Sequence, residues 1–135
     1  MNIISLFCGC GGMDLGLVKA GHKIVYANDN DKDSIDTYKK YFTKKFKISP
    51  AHIHLNDIKK EKINNIPNAD VIVGGFPCQG FSIANIFRKN KRKMERKNNE
   101  LYLEMIRVIK GKKPKYFIAE NVPGIFYRNN HSNNL

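Results

Sequence analysis

The fold is decided by the segment Ile3-Ile4-Ser5-Leu6-Phe7-Cys8-Gly9-Cys10-Gly11-Gly12, in which an apolar, strand-forming run passes into a glycine-rich turn. Residues 13–20 then have a helical pattern, and Gly21 ends that helix. Glycines between a strand and a helix let the backbone turn sharply and approach a ligand closely. The spacing is not a dinucleotide fingerprint, because Asp14 stands at the third glycine position, and it is not a phosphate loop, because no Gly-Lys-Ser/Thr follows. Taken alone, the segment is explained equally well as a plain tight turn.

The remainder of the chain alternates between strand and helix patterns. Further strands are predicted at residues 23–27, 51–55, 70–73 and 116–119, and further helices at residues 31–42 and 99–109. This alternation predicts an α/β fold with a parallel sheet, in which ligands bind beyond the carboxyl ends of the strands. Polar clusters follow the predicted strands at residues 9–12, 28–31, 56–57, 77–82 and 120–121. Their shared position indicates a functional site more strongly than any single cluster does.

Two acidic residues at predicted strand ends suit a nucleoside ligand. Asp29 follows the second strand, twenty residues after Gly9, where a carboxylate can accept hydrogen bonds from ribose hydroxyls. Asp57 follows the third strand and could reach an adenine amino group. Either residue could instead cap the segment that follows it. Together the two acids indicate a cofactor that contains adenosine and does not require a pyrophosphate.

The most specific segment is Gly74-Gly75-Phe76-Pro77-Cys78-Gln79-Gly80-Phe81-Ser82. The proline before Cys78 holds this cysteine on a stiff turn at the end of a buried strand. The thiolate is the nucleophilic form of cysteine, and basic surroundings increase its population. An inert buried cysteine is the alternative. Glu120, after the last predicted strand, could donate a proton to a substrate, or it could be a helix cap or a surface charge.

The chain has 135 residues, which suits one domain, and a formal net charge of +12. So large a positive charge favours a nucleic acid partner, although the many lysines and asparagines also fit an AT-rich genome. Residues 88–97 contain seven basic side chains, a composition typical of phosphate contacts or of a merely solvated connector.

Several classes of protein are disfavoured by composition. Three cysteines make a disulfide framework improbable, and neither they nor the four histidines have zinc-site spacing, so no metal is expected. No apolar run is long enough to span a membrane, and the first residues lack a signal-peptide pattern. A cytoplasmic location without a membrane partner is therefore expected.

Four segments, in this order, resemble motifs of the cytosine-5 DNA methyltransferase family. They are Phe7-Cys8-Gly9-Cys10-Gly11-Gly12, Pro77-Cys78-Gln79 with Phe81-Ser82, Asn99-Glu100-Leu101-Tyr102, and Glu120-Asn121-Val122. The resemblance extends from Ile3 to Phe126. It implies a Rossmann-like, S-adenosylmethionine-dependent methyltransferase domain that acts on cytosine in double-stranded DNA.

The resemblance implies S-adenosylmethionine as the cofactor. The residues implied to bind it are Phe7, Gly9, Gly11, Gly12, Asp29, Asp57 and Ile58. Phe7 would lie near the adenine, the glycine backbone would face the methionine part, and Asp29 would hold the ribose. Asp57 and Ile58 would touch the adenine. Asn30 stands where the family has an aromatic or apolar residue, so no adenine stacking is expected from that side.

The catalytic residues implied by the resemblance are Pro77, Cys78, Glu120 and Asn121. In the implied reaction the Cys78 thiolate adds to C6 of cytosine, and Glu120 hydrogen-bonds N3 and the exocyclic amine. The target base must leave the helical stack to reach these groups, and the basic segment is expected to close over it. The residues expected to contact DNA are Gln79, Ser82, Arg88, Lys89 and Arg92.

The resemblance does not cover a complete enzyme. The predicted organisation is a partial methyltransferase domain over residues 1–127, incomplete at its C-terminal side, and a polar tail over residues 128–135. An arginine-containing active-site motif and a target-recognition domain are absent, so the strand at residues 116–119 is expected to have a bare edge. A second polypeptide is expected to supply the C-terminal half, within a restriction–modification system. Two alternatives remain open, which are an inactive remnant that binds cofactor, DNA or a partner, and a tRNA cytosine-5 methyltransferase.

Overall fold

The computed structural model describes residues 1–77 and 101–122. Strands and helices alternate along these residues in the order β1 (Asn2–Leu6), α1 (Gly12–Lys19), β2 (Lys23–Asp29), α2 (Lys32–Phe46), β3 (Ile53–Leu55), β4 (Val71–Gly74), α3 (Leu101–Lys112) and β5 (Tyr116–Ala119). Short 3₁₀ turns occur at Pro50–His52, Ile58–Lys60 and Ile63–Asn65. Every predicted strand and helix is present, with ends shifted by at most a few residues. The first two residues predicted for α3 lie outside the described residues.

The strands form one parallel sheet in the order β3-β2-β1-β4-β5. β1 is central, because Ser5 pairs with Ala27 of β2 on one side and with Val73 of β4 on the other. Val73 in turn pairs with Ile118 of β5. The predicted α/β fold is therefore confirmed, and the carboxyl ends of all these strands lie along one edge of the sheet.

Hydrophobic residues cover both faces of the sheet. Successive side chains of a strand point to opposite faces, so neighbouring residues of β1 enter different clusters. Ile3 packs with the buried side chains of α2, whereas Ile4 and Leu6 pack with Met105 and Val108 of α3. β1 therefore joins the two halves of the core.

Helix α2 begins at a side-chain cap and ends later than its sequence pattern predicts. The Asp31 carboxylate accepts a hydrogen bond of 3.1 Å from the Ser34 amide, which satisfies one of the free amides of the first turn. The helix runs to Phe46, four residues beyond its predicted end. The Phe46 ring packs against Tyr41 and Phe42, and these aromatic contacts stabilise the extra turn.

Strand β5 forms an edge of the described sheet, as predicted. It pairs with β4 on one side. Its apolar side chains are exposed, with Tyr116 63%, Phe117 60% and Ile118 46% accessible. An edge strand with apolar groups exposed on both faces is a surface for further chain to cover. None of the helices in the described ranges combines the length and apolar character needed to cross a membrane.

Gly11 is the tightest backbone position in the glycine turn. Its φ of 88° is accessible to glycine and costly for other residues. A methyl group at this position would lie 2.4 Å from Cε2 of Phe42 and 2.8 Å from Cε2 of Tyr38. The missing side chain therefore allows α2 to pack directly on the turn between β1 and α1.

We predict that Gly11→Ala lowers the free energy of unfolding by about 3 kcal/mol, because it combines backbone strain with overpacking. Gly16→Ala is the matched control, since a methyl group there meets no atom within 4 Å and Gly16 lies within α1. That change should raise stability by up to about 1 kcal/mol. Urea unfolding followed by circular dichroism measures both, and equal stabilities of the two variants would contradict the packing argument.

Candidate active site

A cavity of about 290 Å³ lies at the carboxyl ends of the strands. It is lined by Phe7, Asp29, Asn30, Asp57, Ile58, Gly75, Pro77 and Leu101. The structure thus brings together five residues that were predicted from the sequence, namely Phe7, Asp29, Asp57, Ile58 and Pro77. Two further lining residues, Gly75 and Leu101, lie within the quoted motifs but were not given a role.

Asp29 links the glycine turn to the start of α2. Its carboxylate accepts a hydrogen bond of 2.8 Å from the Gly9 amide and one of 3.0 Å from the Asp31 amide. Asp31, rather than Asp29, caps α2, so the capping alternative is wrong for Asp29. Each carboxylate oxygen can accept more than one hydrogen bond, and Asp29 can therefore bind a ligand in the cavity without releasing the turn.

Asp57 does act as a cap, and it also lines the cavity. Its carboxylate accepts a hydrogen bond of 3.0 Å from the Lys59 amide at the start of the turn Ile58–Lys60. The Ile58 side chain is buried beside it. The capping bond fixes the local backbone and so presents this acid and the neighbouring apolar group to the cavity together.

The glycine turn borders the cavity through Phe7. Phe7 has a φ of 55°, an unusual value for a residue with a side chain, and such backbone strain is often found at functional sites. The other predicted residues of this turn do not line the cavity. Gly9 is held by Asp29, Gly11 packs under Phe42, and Gly12 faces open space.

Asp14 stabilises the glycine turn from inside the protein, and the sequence analysis gave it no role. Its side chain is 1% exposed and accepts hydrogen bonds of 2.7 Å from Ser5 Oγ and 2.6 Å from the Tyr38 hydroxyl. It therefore joins β1, α1 and α2. Burial raises the pKa of Asp14, while the two hydroxyl donors act to lower it. The only hint in the sequence was that Asp14 stands where a dinucleotide fingerprint has its third glycine.

Cys8 and Cys10 are the cysteines within the described residues, and their surroundings differ from each other. Burial raises the pKa of the Cys8 thiol strongly, and the nearby carboxylates of Asp14 and Asp29 raise it further. Cys8 is therefore a neutral, unreactive thiol. Cys10 is exposed. Within residues 1–77 and 101–122, no group of three or more histidine, cysteine or acidic side chains is arranged to hold a metal.

Two hydrogen bonds join the segments that follow β4 and β5. The Glu120 amide donates to the Gly74 carbonyl at 2.9 Å, and Asn121 Nδ2 donates to the Phe76 carbonyl at 3.0 Å. Glu120 Oε2 would lie 3.0 Å from a methyl group on Gly75, so the absence of a side chain there makes room for the carboxylate. Asn121 therefore holds the backbone just before Pro77, and the exposed Glu120 carboxylate lies beside the same segment.

The remaining predicted site residues lie outside the described residues. They are Cys78, Gln79, Ser82, Arg88, Lys89 and Arg92. The basic segment 88–97 lies outside them as well.

A second groove, of about 350 Å³, opens at the other end of β2. It is lined by Val18, His22, Lys23, Ile24, Val25, Phe46, Lys47, Ile48, Ser49 and His52. None of the residues predicted to bind a ligand or to act in catalysis lines it. Volume alone therefore does not identify the site, and the convergence of predicted residues at the first cavity does.

Comparison with known proteins identifies relatives over the whole chain. The family model for C-5 cytosine-specific DNA methylase matches residues 1–135. The Type II methyltransferase M.NgoPII of Neisseria gonorrhoeae is 42% identical over 126 residues, which cover 93% of this chain and 34% of that protein. The Type II methyltransferase M.FnuDI of Fusobacterium nucleatum is 37% identical over 130 residues, or 96% of this chain and 35% of that protein. The chain thus spans about a third of the length of these relatives.

A solved structure has the same fold. The crystal structure of a DNA modification methyltransferase encoded within an Escherichia coli prophage superposes with a TM-score of 0.70 and 32% sequence identity. The match covers 93% of this chain and 33% of that one.

We predict that the stability of the wild-type protein relative to Asp14→Asn falls as the pH rises. The raised pKa means that the folded protein holds the Asp14 proton more tightly than the unfolded chain does. The contribution of this group is therefore full below the ordinary value of 3.8 and is lost as the pH rises toward the pKa of the folded state. Urea unfolding between pH 4 and 7 should show that the free energies of unfolding of the wild type and Asp14→Asn approach each other as the pH rises. Asp33→Asn, at an exposed site, is the control. Parallel curves for the wild type and Asp14→Asn would contradict the pKa shift.

Proposed function

Because the chain belongs to the C-5 cytosine-specific DNA methylase family, we propose that it is the cofactor-binding and catalytic part of a DNA (cytosine-5)-methyltransferase. Such an enzyme transfers a methyl group from S-adenosylmethionine to C5 of cytosine. The observation that carries the proposal is the convergence of Phe7, Asp29, Asp57, Ile58 and Pro77 on one cavity at the strand ends. Parallel sheets bind their ligands at this edge.

The residues of the cavity fit the adenosine part of S-adenosylmethionine. Asp29 retains lone pairs for the ribose hydroxyls while it holds the Gly9 amide. Asp57 offers an acceptor for the adenine amino group, and Phe7 and Ile58 offer apolar contacts to the ring. A volume of about 290 Å³ is at the lower end for ligand pockets, which suits the nucleoside better than the whole cofactor. We assign the methionine part to the backbone of Gly9, Gly11 and Gly12.

The reaction requires C5 of cytosine, a poor nucleophile, to be activated. In our proposal the Cys78 thiolate forms a bond to C6, and the electron pair of the C5–C6 double bond becomes available at C5. Glu120 hydrogen-bonds N3 and the exocyclic amine and so stabilises the charge that develops on the ring. The cofactor supplies the methyl group to C5. Solvent water then accepts the C5 proton, and the C5–H electron pair re-forms the C5–C6 double bond as the C6–sulfur bond breaks and Cys78 leaves as the thiolate.

Pro77 and Asn121 have supporting roles in this proposal. The Asn121 amide holds the Phe76 carbonyl, and the fixed φ of Pro77 limits the direction in which the chain continues to Cys78. The Phe76 ring also lies 6.3 Å from the Tyr102 ring, which braces the same segment against α3. These contacts hold the segment that leads to Cys78 next to the strand end that carries Glu120, and they support a shared catalytic role for the two residues.

Double-stranded DNA is the proposed substrate, and the cytoplasm is the proposed location. The net charge of +12 attracts the phosphate backbone. We assign phosphate and base contacts to Gln79, Ser82, Arg88, Lys89 and Arg92, with the target cytosine turned out of the stack toward Cys78.

Activity is proposed to depend on the C-terminal part that the longer relatives possess, supplied by a second polypeptide of a restriction–modification system. The exposed apolar side chains of β5 provide a surface for that part, because a further strand could pair with the outer edge of β5. In this organisation residues 1–127 form the partial methyltransferase domain and residues 128–135 a polar tail.

The proposal is tested by tritium transfer from labelled S-adenosylmethionine to duplex DNA and to tRNA. The chain is assayed alone and together with a polypeptide that contains the remaining C-terminal part of a related methyltransferase, beyond the third that this chain matches. We expect transfer to DNA in the mixture only. Cys78→Ser should reduce this transfer to background, whereas Lys44→Ser, at an exposed position near the end of α2 and not among the residues that line the cavity, should preserve it.

A covalent trap separates catalysis from binding in the same mixture. DNA that carries 5-fluorocytosine should remain attached to the wild-type chain but not to Cys78→Ser, because fluorine at C5 blocks the proton loss that releases the enzyme. Methyl transfer to tRNA but not to DNA would identify RNA, and not DNA, as the substrate. Absence of both transfer and trapping would identify an inactive remnant.

A further inference from the structure

The cavity wall that carries Asp57 and Ile58 has little regular structure of its own. Residues 56–70 connect β3 to β4, and the wall, residues 56–66, contains two short 3₁₀ turns of three residues each. Turns of this length do not fix their own position in a protein. Their position must therefore be set by contacts with neighbouring elements.

Helix α3 supplies a polar contact to this wall through Arg107. Arg107 Nη2 donates a hydrogen bond of 2.7 Å to the Ile58 carbonyl. Arg107 Nε donates one of 2.7 Å to Glu104 Oε2, one turn earlier in the helix. The Arg107 and Glu104 side chains are 34% and 20% exposed, so the pair is largely shielded from water. The planar guanidinium group can make both bonds at once, which fixes its direction.

Apolar contacts join the same two elements farther along. Ile58 and Ile66 are buried in the cluster that contains Met105 and Val108 of α3. A methyl group on Gly111 would lie 2.7 Å from Cγ2 of Ile63, so α3 and the wall approach closely at this end as well. Apolar packing holds the wall near the helix, but it does not fix the orientation of the Ile58 carbonyl, which needs the hydrogen bond from Arg107.

A second set of polar contacts fixes the start of the wall from the side of β2. Asn28 donates to the backbone and side-chain oxygens of Asn56, and Asn56 Nδ2 in turn donates to Glu61. Tyr26 stacks on His54 beside this group, with ring centroids 4.4 Å apart. The wall is thus held on one side by Asn28 of β2, through Asn56, and on the other side by Arg107 of α3.

We propose that Arg107 is a positioning residue, which holds the Ile58 carbonyl so that Asp57 and Ile58 face the cofactor cavity in the binding geometry. The part of this inference that concerns the cofactor rests on the proposed function. Arg107 acts through Ile58 and is not among the residues that line the cavity. The same helix lines the cavity with Leu101, so α3 sets the relation between the wall and the rest of the site.

The geometric part is tested on the ligand-free chain by hydrogen exchange with mass spectrometry. Arg107→Met keeps an apolar stem and removes both hydrogen bonds. We expect exchange in a peptide that covers residues 57–66 to become about tenfold faster, as loss of a charged hydrogen bond predicts, with no change in β1. Lys110→Met, at an exposed position of the same helix, should change neither region. Unchanged exchange at residues 57–66 in Arg107→Met would overturn the proposal.

The cofactor part is tested by calorimetric titration with S-adenosylhomocysteine and with its hypoxanthine analogue. We expect Arg107→Met to weaken S-adenosylhomocysteine binding about tenfold and to reduce the preference for adenine, because the wall that contacts the adenine is displaced. Arg107→Lys keeps the positive charge and a hydrogen-bond donor. Compared with Arg107→Met, it should recover part of the affinity for S-adenosylhomocysteine and part of the preference for adenine. Equal loss for the two ligands, with the preference intact, would overturn a role at the adenine.

The two experiments separate this inference from the proposed function. If the wild-type chain binds neither ligand, the proposed function fails, and the exchange rates still decide whether Arg107 holds the wall. If the wild type binds and Arg107→Met binds equally well, the positioning role fails and the proposed function stands.

Discussion

The contact between Gly11 and the rings of Tyr38 and Phe42 is the constraint on which the rest of the structure depends. Because Gly11 has no side chain and adopts a positive φ, α2 can lie directly on the turn between β1 and α1. This approach brings the Tyr38 hydroxyl to Asp14. Beside this contact, Asp29 bridges the Gly9 amide of the turn and the Asp31 amide at the start of α2. The glycine turn that borders the cavity is thus supported by the packing of α2 against it.

Asp14 and Asp29 are acids close to the same turn with different surroundings. Asp14 is buried and directed into the protein, where two hydroxyl groups bind it. Asp29 is only partly buried and lines the cavity, where it can also bind a ligand. Burial likewise separates the two cysteines of the glycine turn, because the Cys8 thiol is kept neutral by burial whereas Cys10 is exposed. Residue type therefore does not determine function here, and position relative to the sheet edge does.

The sequence predicts most of the fold and about half of the candidate site. Strands and helices were identifiable because their apolar patterns agree with their final packing, and the acids at strand ends were identifiable because parallel sheets gather those ends together. Asp14 was missed because its partners lie nine and 24 residues away and an acid in the first turn of a helix is usually exposed. Arg107 was missed for the same reason, since its acceptor is a backbone carbonyl 49 residues earlier. The packing role of Gly11 against Tyr38 and Phe42 was also missed, because those rings come from a helix 27 and 31 residues later in the chain.

The most direct test of the account is a nuclear magnetic resonance titration of the isotope-labelled chain with S-adenosylhomocysteine. We predict saturable shift changes at Phe7, Asp29, Asp57, Ile58 and Leu101, with little change at Ile24, Phe46 and His52 of the second groove. That result would place the cofactor at the carboxyl edge of the sheet. Changes confined to the second groove, or no saturable change at all, would contradict the central claim that this edge is the cofactor site.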